Sequence, residues 1–371
     1  MSKARRPAAL MAAAACAAFA LAAPSAGAAE TDYLFSDSHV HLTNYVQEGV
    51  DIRTYLKDVM GDTVGRSVLF GIPLQQMWSY GNSGEYAPSY YLNSDAPLYY
   101  YSFTDAFIAQ AFLSLPPNAQ ARLDPMITGF NPSDMYAADH IRRVLKTFPG
   151  VFSGIGEFSI HKEFVSSKIP GEVASLTNPA LDRILDFAGE AGLVVVLHND
   201  IDVPFAKTNA PPMYLDQMKA LLRRHPKTTI IWAHTGLGRV VHPTVVDAGA
   251  TGERPPNHLE ILEGMLADPG LSHVYFDISW DEVAKYVTAS PEVEARTAAL
   301  LNRYPDRFLF GTDNVAPSTT QTQLRVFHMW DSVFAKLTPE ASRAIRKGNY
   351  ERLFDAARVK VRAWETANAR R

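Results

Sequence analysis

The run Asp37-Ser38-His39-Val40-His41 sets two histidines two residues apart behind an apolar, β-prone stretch. Side chains two apart on a strand point the same way, so His39 and His41 can reach one point. Two neutral imidazoles converging on a point form metal-ligand geometry. Four more apolar runs end in groups of the same kind. Val194-Val195-Val196-Leu197 is followed by His198, and Ile230-Ile231-Trp232-Ala233 by His234. Gly154-Ile155-Gly156 leads to Glu157, and Phe308-Leu309-Phe310-Gly311-Thr312 to Asp313. Core histidines scatter; four histidines and two carboxylates, each closing an apolar run, form a ligand set for a divalent cation.

Positioning these groups takes a regular scaffold. Apolar or β-branched runs occur at Tyr33–Leu42, Arg66–Pro73, Pro125–Phe130, Phe152–Ile160, Leu193–Asn199, Thr228–His234, His273–Ser279 and Arg307–Asp313. Helical patterns lie between them, at Asp134–Thr147, Pro179–Ala191, Pro212–Arg224, Asn257–Leu266, Pro291–Arg303 and Gln321–Lys336. Ser133-Asp134, Asn178-Pro179 and Ser290-Pro291 supply helix-start chemistry. Short apolar strands alternating with helices predict a parallel sheet covered on its faces. Eight such units predict an α/β fold of the (β/α)8 TIM-barrel type, whose active site lies at the strands' C-terminal ends. With no internal repeat and no low-complexity linker, one domain over residues 29–371 is the expectation.

Two segments exceed what a barrel needs. Leu74–Phe103 carries nine aromatic residues, Trp78 and Tyr80 among them, and Lys162–Thr177 follows the fourth strand. Both follow strands and so fall on the catalytic face, where a long loop is usually functional or mobile. Trp78 and Tyr80 are expected at the substrate, as is His161, four residues beyond Glu157; the alternatives are a surface flap for the aromatic segment and an ordinary loop histidine for His161. Arg239 could clamp an anionic group, the other reading being a surface arginine. Asp37 points inward and Asp277 closes a strand, so both are expected to brace ligands rather than hold the ion. His140, His225, His242, His258, His273 and His328 lie in helices, loops or a strand start and read as ordinary.

From Tyr33 to Phe354 the chain resembles the amidohydrolase superfamily. It is most similar to the branch of metal-dependent hydrolases and decarboxylases that includes aminocarboxymuconate semialdehyde decarboxylase. The resemblance rests on Asp37-Ser38-His39-Val40-His41, Gly156-Glu157, His198, Ala233-His234-Thr235-Gly236, Phe310-Gly311-Thr312-Asp313 and the run Gly348–Phe354. It implies that His39, His41, His198, His234 and Asp313 hold or serve one or two divalent metals. It further implies that Glu157 can bridge two ions; the other reading of Glu157 is a substrate or supporting residue. An ion among neutral imidazoles keeps most of its charge and lowers the pKa of a bound water. Asp313 would then bind metal or take that water's proton. His234 would ligate a second ion or orient the water or a substrate carbonyl. Mixed nitrogen and oxygen ligands suit zinc first, with manganese or iron as alternatives.

The N-terminus has its own pattern. Lys3, Arg5 and Arg6 precede an apolar run, Ala8 to Ala23, and then Ala26-Gly27-Ala28. That order is a secretory signal peptide with cleavage near Ala28. A membrane anchor, a lipoprotein site at Cys16 and a twin-arginine signal at Arg5-Arg6 are the alternatives. Cleavage removes three positive charges, moving the net charge from −4 to −7, and takes away Cys16, the one cysteine. A cysteine-free chain suits a periplasmic or extracellular setting.

Other classes lack their signals. The sequence holds no G-x-S-x-G elbow, no H-E-x-x-H and no phosphate-binding P-loop, and Gly154-x-Gly156 lacks a third glycine. A negative chain offers no attraction for nucleic acid. The expectation is therefore an exported metal-dependent hydrolase acting through an activated water on a small amide, ester, lactone or phosphoester. A non-oxidative decarboxylase or lyase of the same superfamily and a non-catalytic secreted barrel are the alternatives.

Overall fold

In a computed structural model, which describes residues 32–206, 211–239 and 256–369, the eight apolar runs become eight parallel strands. They are β1 (Phe35–Asp37), β2 (Val64–Leu69), β3 (Leu123–Ile127), β4 (Gly154–Ser159), β5 (Val194–His198), β6 (Ile230–Trp232), β7 (Val274–Ile278) and β8 (Phe308–Phe310). Each pairs with the next in chain order. Nearly every strand residue is buried, because helices cover the outer face and side chains fill the inner one; hence the runs are continuously apolar rather than alternating.

The ring closes between β8 and β1. Ser38 donates its backbone N–H (3.1 Å) and its hydroxyl (2.9 Å) to the Phe310 carbonyl, and the Asp313 N–H donates to the His39 carbonyl at 2.8 Å. Just beyond, Asn314–Val315 pairs in parallel with Val40–His41. The bend at Ser38-His39 is why Tyr33–Leu42 forms two short strands instead of one. Gly311 permits the approach: a Cβ there would lie 2.9 Å from the His39 Cβ and from the Ser38 Oγ.

Helix starts follow side-chain capping. Asn178 accepts from the Ala180 N–H at the head of Pro179–Ala191, and Ser290 from the Val293 N–H at the head of Pro291–Arg303. Asn257 and Glu260 form a reciprocal capping box before His258–Leu266. The helix expected from Asp134 begins at Ala137, because Asn131 and Asp134 turn their carboxamide and carboxylate onto the Ser133 and Tyr136 N–H groups. Gln321–Lys336 divides into Thr320–His328 and Asp331–Phe334, with the indole of Trp330 wholly buried at the break.

Inside the barrel, Val68, Met126, Val194, Val196, Ile231 and Leu309 pack with Tyr350, Leu353, Phe354 and Ala357 of the last helix, Asn349–Asn368. The long segment after β2 has structure of its own, an antiparallel pair of Leu74–Gln76 with Leu98–Tyr100. No described helix is long and apolar enough to cross a membrane. Residues 1–31, with the signal-peptide pattern and its cleavage point, and His242 lie outside the described residues.

Candidate metal centre

The groups at the strand ends meet. His39, His41, Glu157 and Asp313 bring one ligand atom each within 4.8 Å of one another, as do Glu157, His198 and His234. Glu157 is common to both sets, and its two oxygens face different partners. Oε2 lies 3.0 Å from His41 Nε2 and 3.8 Å from His39 Nε2. Oε1 lies 2.5 Å from His198 Nδ1 and 3.8 Å from His234 Nε2. Asp313 Oδ1 lies 3.2 Å from His39 Nε2 and 3.3 Å from His41 Nε2, and its Oδ2 lies 3.8 Å from His234 Nε2.

The surrounding bonds decide which ring nitrogen faces the centre. His39 Nδ1 is 2.8 Å from Asp277 Oδ2, and His234 Nδ1 is 2.7 Å from Ser279 Oγ. Each bond leaves Nε2 turned inward. His198 is turned the other way: its Nε2 lies 2.9 Å from Asp200 Oδ1 and Nδ1 faces Glu157. Asp37 accepts from the Thr312 N–H (2.9 Å), the Thr312 hydroxyl (2.7 Å) and the His39 N–H (3.1 Å), so it braces the turn that presents Asp313. Burial pushes its pKa up to about 7 despite those bonds. Backbone strain collects here too. His234, Thr235, Trp280 and Asp313 all have φ between 54° and 77°. That conformation is uncommon for non-glycine residues and clusters at functional sites.

A divalent ion fits this donor set. His39 Nε2, His234 Nε2 and Asp313 Oδ1 are buried with no hydrogen-bond partner, a costly state unless something shared satisfies them. Burial disfavours the charged forms throughout, but the pairings win at His39, Glu157 and Asp313 among others. Asp313 and Asp277 hold the His39 pKa well above the imidazole range. Lys162 and His198 hold Glu157 well below the carboxylate range, and His39 and His234 hold Asp313 low. The carboxylates thus stay ionised and draw positive charge into the cluster, which a metal could supply in place of protons.

A cavity of about 310 Å³ opens onto the cluster, lined by His41 and Asp313 and also by Tyr45, Tyr90, Lys162, Arg239 and Trp280. Arg239 is therefore at the cavity. His161, Trp78 and Tyr80 are not among its lining residues. The His161 ring stacks on Tyr214 with centroids 3.8 Å apart, because the chain leaves β4 before reaching it. Trp78 packs edge-on against Tyr80, which is more than half exposed and bonds Glu48. The sequence reading passed over Lys162, Trp280 and Tyr90 as site residues. It also passed over Ser279, although the two-residue spacing from Asp277 was a usable signal.

The sequence pattern of the amidohydrolase family matches residues 37–356. The sequence matches none of the curated proteins. Among solved structures, a candidate 2-pyrone-4,6-dicarboxylic acid hydrolase from Pseudomonas putida is 14% identical, with a TM-score of 0.50 over 87% of this chain and 98% of its own. A second candidate hydrolase of that name, from Acinetobacter baumannii with citric acid bound, is 14% identical, with a TM-score of 0.51 over 87% and 99%. An amidohydrolase from Burkholderia multivorans with bound HEPES is 13% identical, with a TM-score of 0.50 over 87% and 99%. At such identities the likeness speaks to the barrel, while the family match spans most of the chain. This chain belongs to the amidohydrolase family.

Proposed function

We propose that the protein is an exported hydrolase that uses zinc to cleave a small amide, ester, lactone or phosphoester. The observation that carries the reading is Asp313. It lines the cavity, within reach of His39, His41 and His234, with Oδ1 free of any hydrogen bond.

His39, His41 and Asp313 would hold one ion, His198 and His234 a second, with Glu157 between them. An ion held there supplies Lewis-acid polarisation of a substrate oxygen and a lowered pKa for water. Asp313 takes a proton from the attacking water at a carboxylate oxygen and returns it to the leaving group. His234, held by the Ser279 hydroxyl, turns Nε2 inward toward the second ion; in a one-ion site it would instead orient the water or the substrate carbonyl. Trp280 and Tyr90 wall the cavity, exclude bulk water and favour a substrate with an apolar or aromatic body. Manganese and iron also suit the mixed ligands. The partner is a small molecule, with no nucleic acid and no membrane after signal cleavage.

Metal analysis of the purified protein, joined to a screen of amide, ester, lactone and phosphoester substrates, tests this. Hydrolysis should vanish on chelation and return with zinc. Release of carbon dioxide from aromatic carboxylates, with no hydrolysis of any substrate, would make the protein a decarboxylase instead.

A further inference from the structure

A second cavity, of about 600 Å³, opens on the face where the strands end. Its lining comes from the segments that follow β2, β3 and β4: Tyr99 and Tyr100, then Asp134, Met135 and Tyr136, then Glu172. It shares no lining residue with the cavity at the metal cluster. One small apolar core gives Leu98 to this cavity and Tyr45 and Ile72 to the other, and so forms the wall between them.

The lining has a definite charge. Tyr99, Met135 and Tyr136 are exposed, an apolar surface of the kind that marks a binding face. Two carboxylates stand among them. Asp134 accepts the Tyr136 N–H at 2.8 Å on Oδ1, and Glu172 accepts from the Asn178 side-chain amide at 3.1 Å on Oε1. Neither carboxylate is ion-paired among the described residues. No lysine or arginine lines the cavity. The two cations bonded around it are engaged elsewhere. Lys168 donates to the Tyr91 and Ser94 carbonyls, and Arg183 donates to the Met135 carbonyl and lies 3.6 Å from Asp139. Tyrosine ring faces are themselves negative and attract a cation. The complement of this lining is therefore a positive charge on an apolar body; an anion is repelled.

We propose that this second cavity binds a small organic ammonium ion, its charge held by Asp134 and Glu172 and its body against Tyr99, Tyr100 and Tyr136. The site stands apart from the metal cluster and does not depend on the reaction assigned there.

The test titrates zinc-loaded protein at neutral pH with 2-phenylethylammonium and with its neutral counterpart 2-phenylethanol, by calorimetry. The wild type should favour the ammonium about fivefold or more, the worth of an exposed cation–π contact joined to an exposed carboxylate. That preference should shrink as salt rises, because both carboxylates are exposed. The double variant Asp134→Asn/Glu172→Gln should bind the two probes alike, and Tyr136→Ala should weaken both. Equal affinity of the wild type for the two probes, no binding of the ammonium, or an undiminished preference in the double variant overturns the proposal. Self-association that Tyr136→Ala abolishes, with no ammonium bound, also overturns it and makes this face a contact between copies of the chain.

Discussion

Asp277 Oδ2 lies 2.8 Å from His39 Nδ1, and its Oδ1 accepts from the His234 N–H at 2.6 Å and the Ser279 hydroxyl at 2.5 Å. One buried carboxylate at the end of β7 therefore orients histidines from β1 and β6. Asp277→Asn keeps the size but turns an N–H donor toward His39 Nδ1. The ring must then carry its proton on Nε2, where a lone pair is needed. Metal affinity should fall by about 10–100-fold, the usual cost of losing such a partner. Competition with a chelator measures it, with circular dichroism to show that the barrel persists. Unchanged affinity would remove Asp277 from the metal argument.

Glu157 presents Oε2 to His39 and His41 and Oε1 to His198 and His234. That is the arrangement of a bridge between two ions, which sit roughly 3.5–4 Å apart in two-metal sites. Glu157→Gln should lower bound metal from two ions to about one, and the double variant His39→Ala/His41→Ala should lower it further. A wild type that binds one ion at saturation sinks the bridge and makes Glu157 a substrate or supporting residue.

The clustered histidines and carboxylates were readable because each ends an apolar run, where a barrel strand must emerge. The residues around them were not, for reasons of geometry. Lys162 lies in a loop, where a lysine reads as solvated; only the closed ring folds it over Glu157. Trp280 adopts φ 77°, a conformation with no local sequence signal in a bulky residue. The aromatic count in Leu74–Phe103 was visible, but not its direction. Tyr90 lines the cavity, while its neighbour Tyr91 is fully buried with its hydroxyl on Glu163.

His258, read from sequence as ordinary, donates from Nε2 to the Thr235 carbonyl at 2.8 Å and so steadies the strained turn beside His234. Burial lowers its pKa to about 4, from an ordinary value of 6.5. The folded protein thus holds this ring neutral where the unfolded chain protonates it. Its contribution is complete above pH 6.5 and is lost as the pH falls toward 4. His258→Gln keeps a donor and removes the titration. Between pH 7 and pH 4 the wild type should lose up to ~3 kcal/mol more stability than the variant, measured by urea unfolding. Parallel stability curves would refute the assignment.

Export is checked at the N-terminus. The basic, apolar and Ala26-Gly27-Ala28 segments predict a mature chain that begins at or near Ala29 in the periplasm or medium. Mass spectrometry of the fractionated native protein reads this directly. A cytoplasmic chain that keeps residues 1–28 would contradict it.

The aromatic segment makes the last prediction, and the structure changes how it should be tested. Leu74, Tyr91 and Leu98 form a small core with Tyr45, Ile72 and Val165. Replacing Leu74–Phe103 by a Gly/Ser connection would strip that core as well as the cavity wall, so a loss of activity would not separate the two. Tyr90 separates them. It lines the cavity, its ring lies 5.9 Å from Tyr45 edge-on, and its hydroxyl accepts from Arg239 Nη2 at 3.0 Å. Tyr90→Ala opens the wall and leaves Tyr91 and the two leucines in place. It should lower kcat/KM about tenfold on an aromatic ester, lactone or amide that the enzyme turns over, with metal content close to wild type and a small fall in melting temperature, because the ring also packs 4.4 Å from Tyr91. Tyr90→Phe, which keeps the wall and loses only the bond to Arg239, should lose less. If Tyr90→Ala works as well as the wild type, the segment is a surface flap and the preference for an aromatic body goes with it.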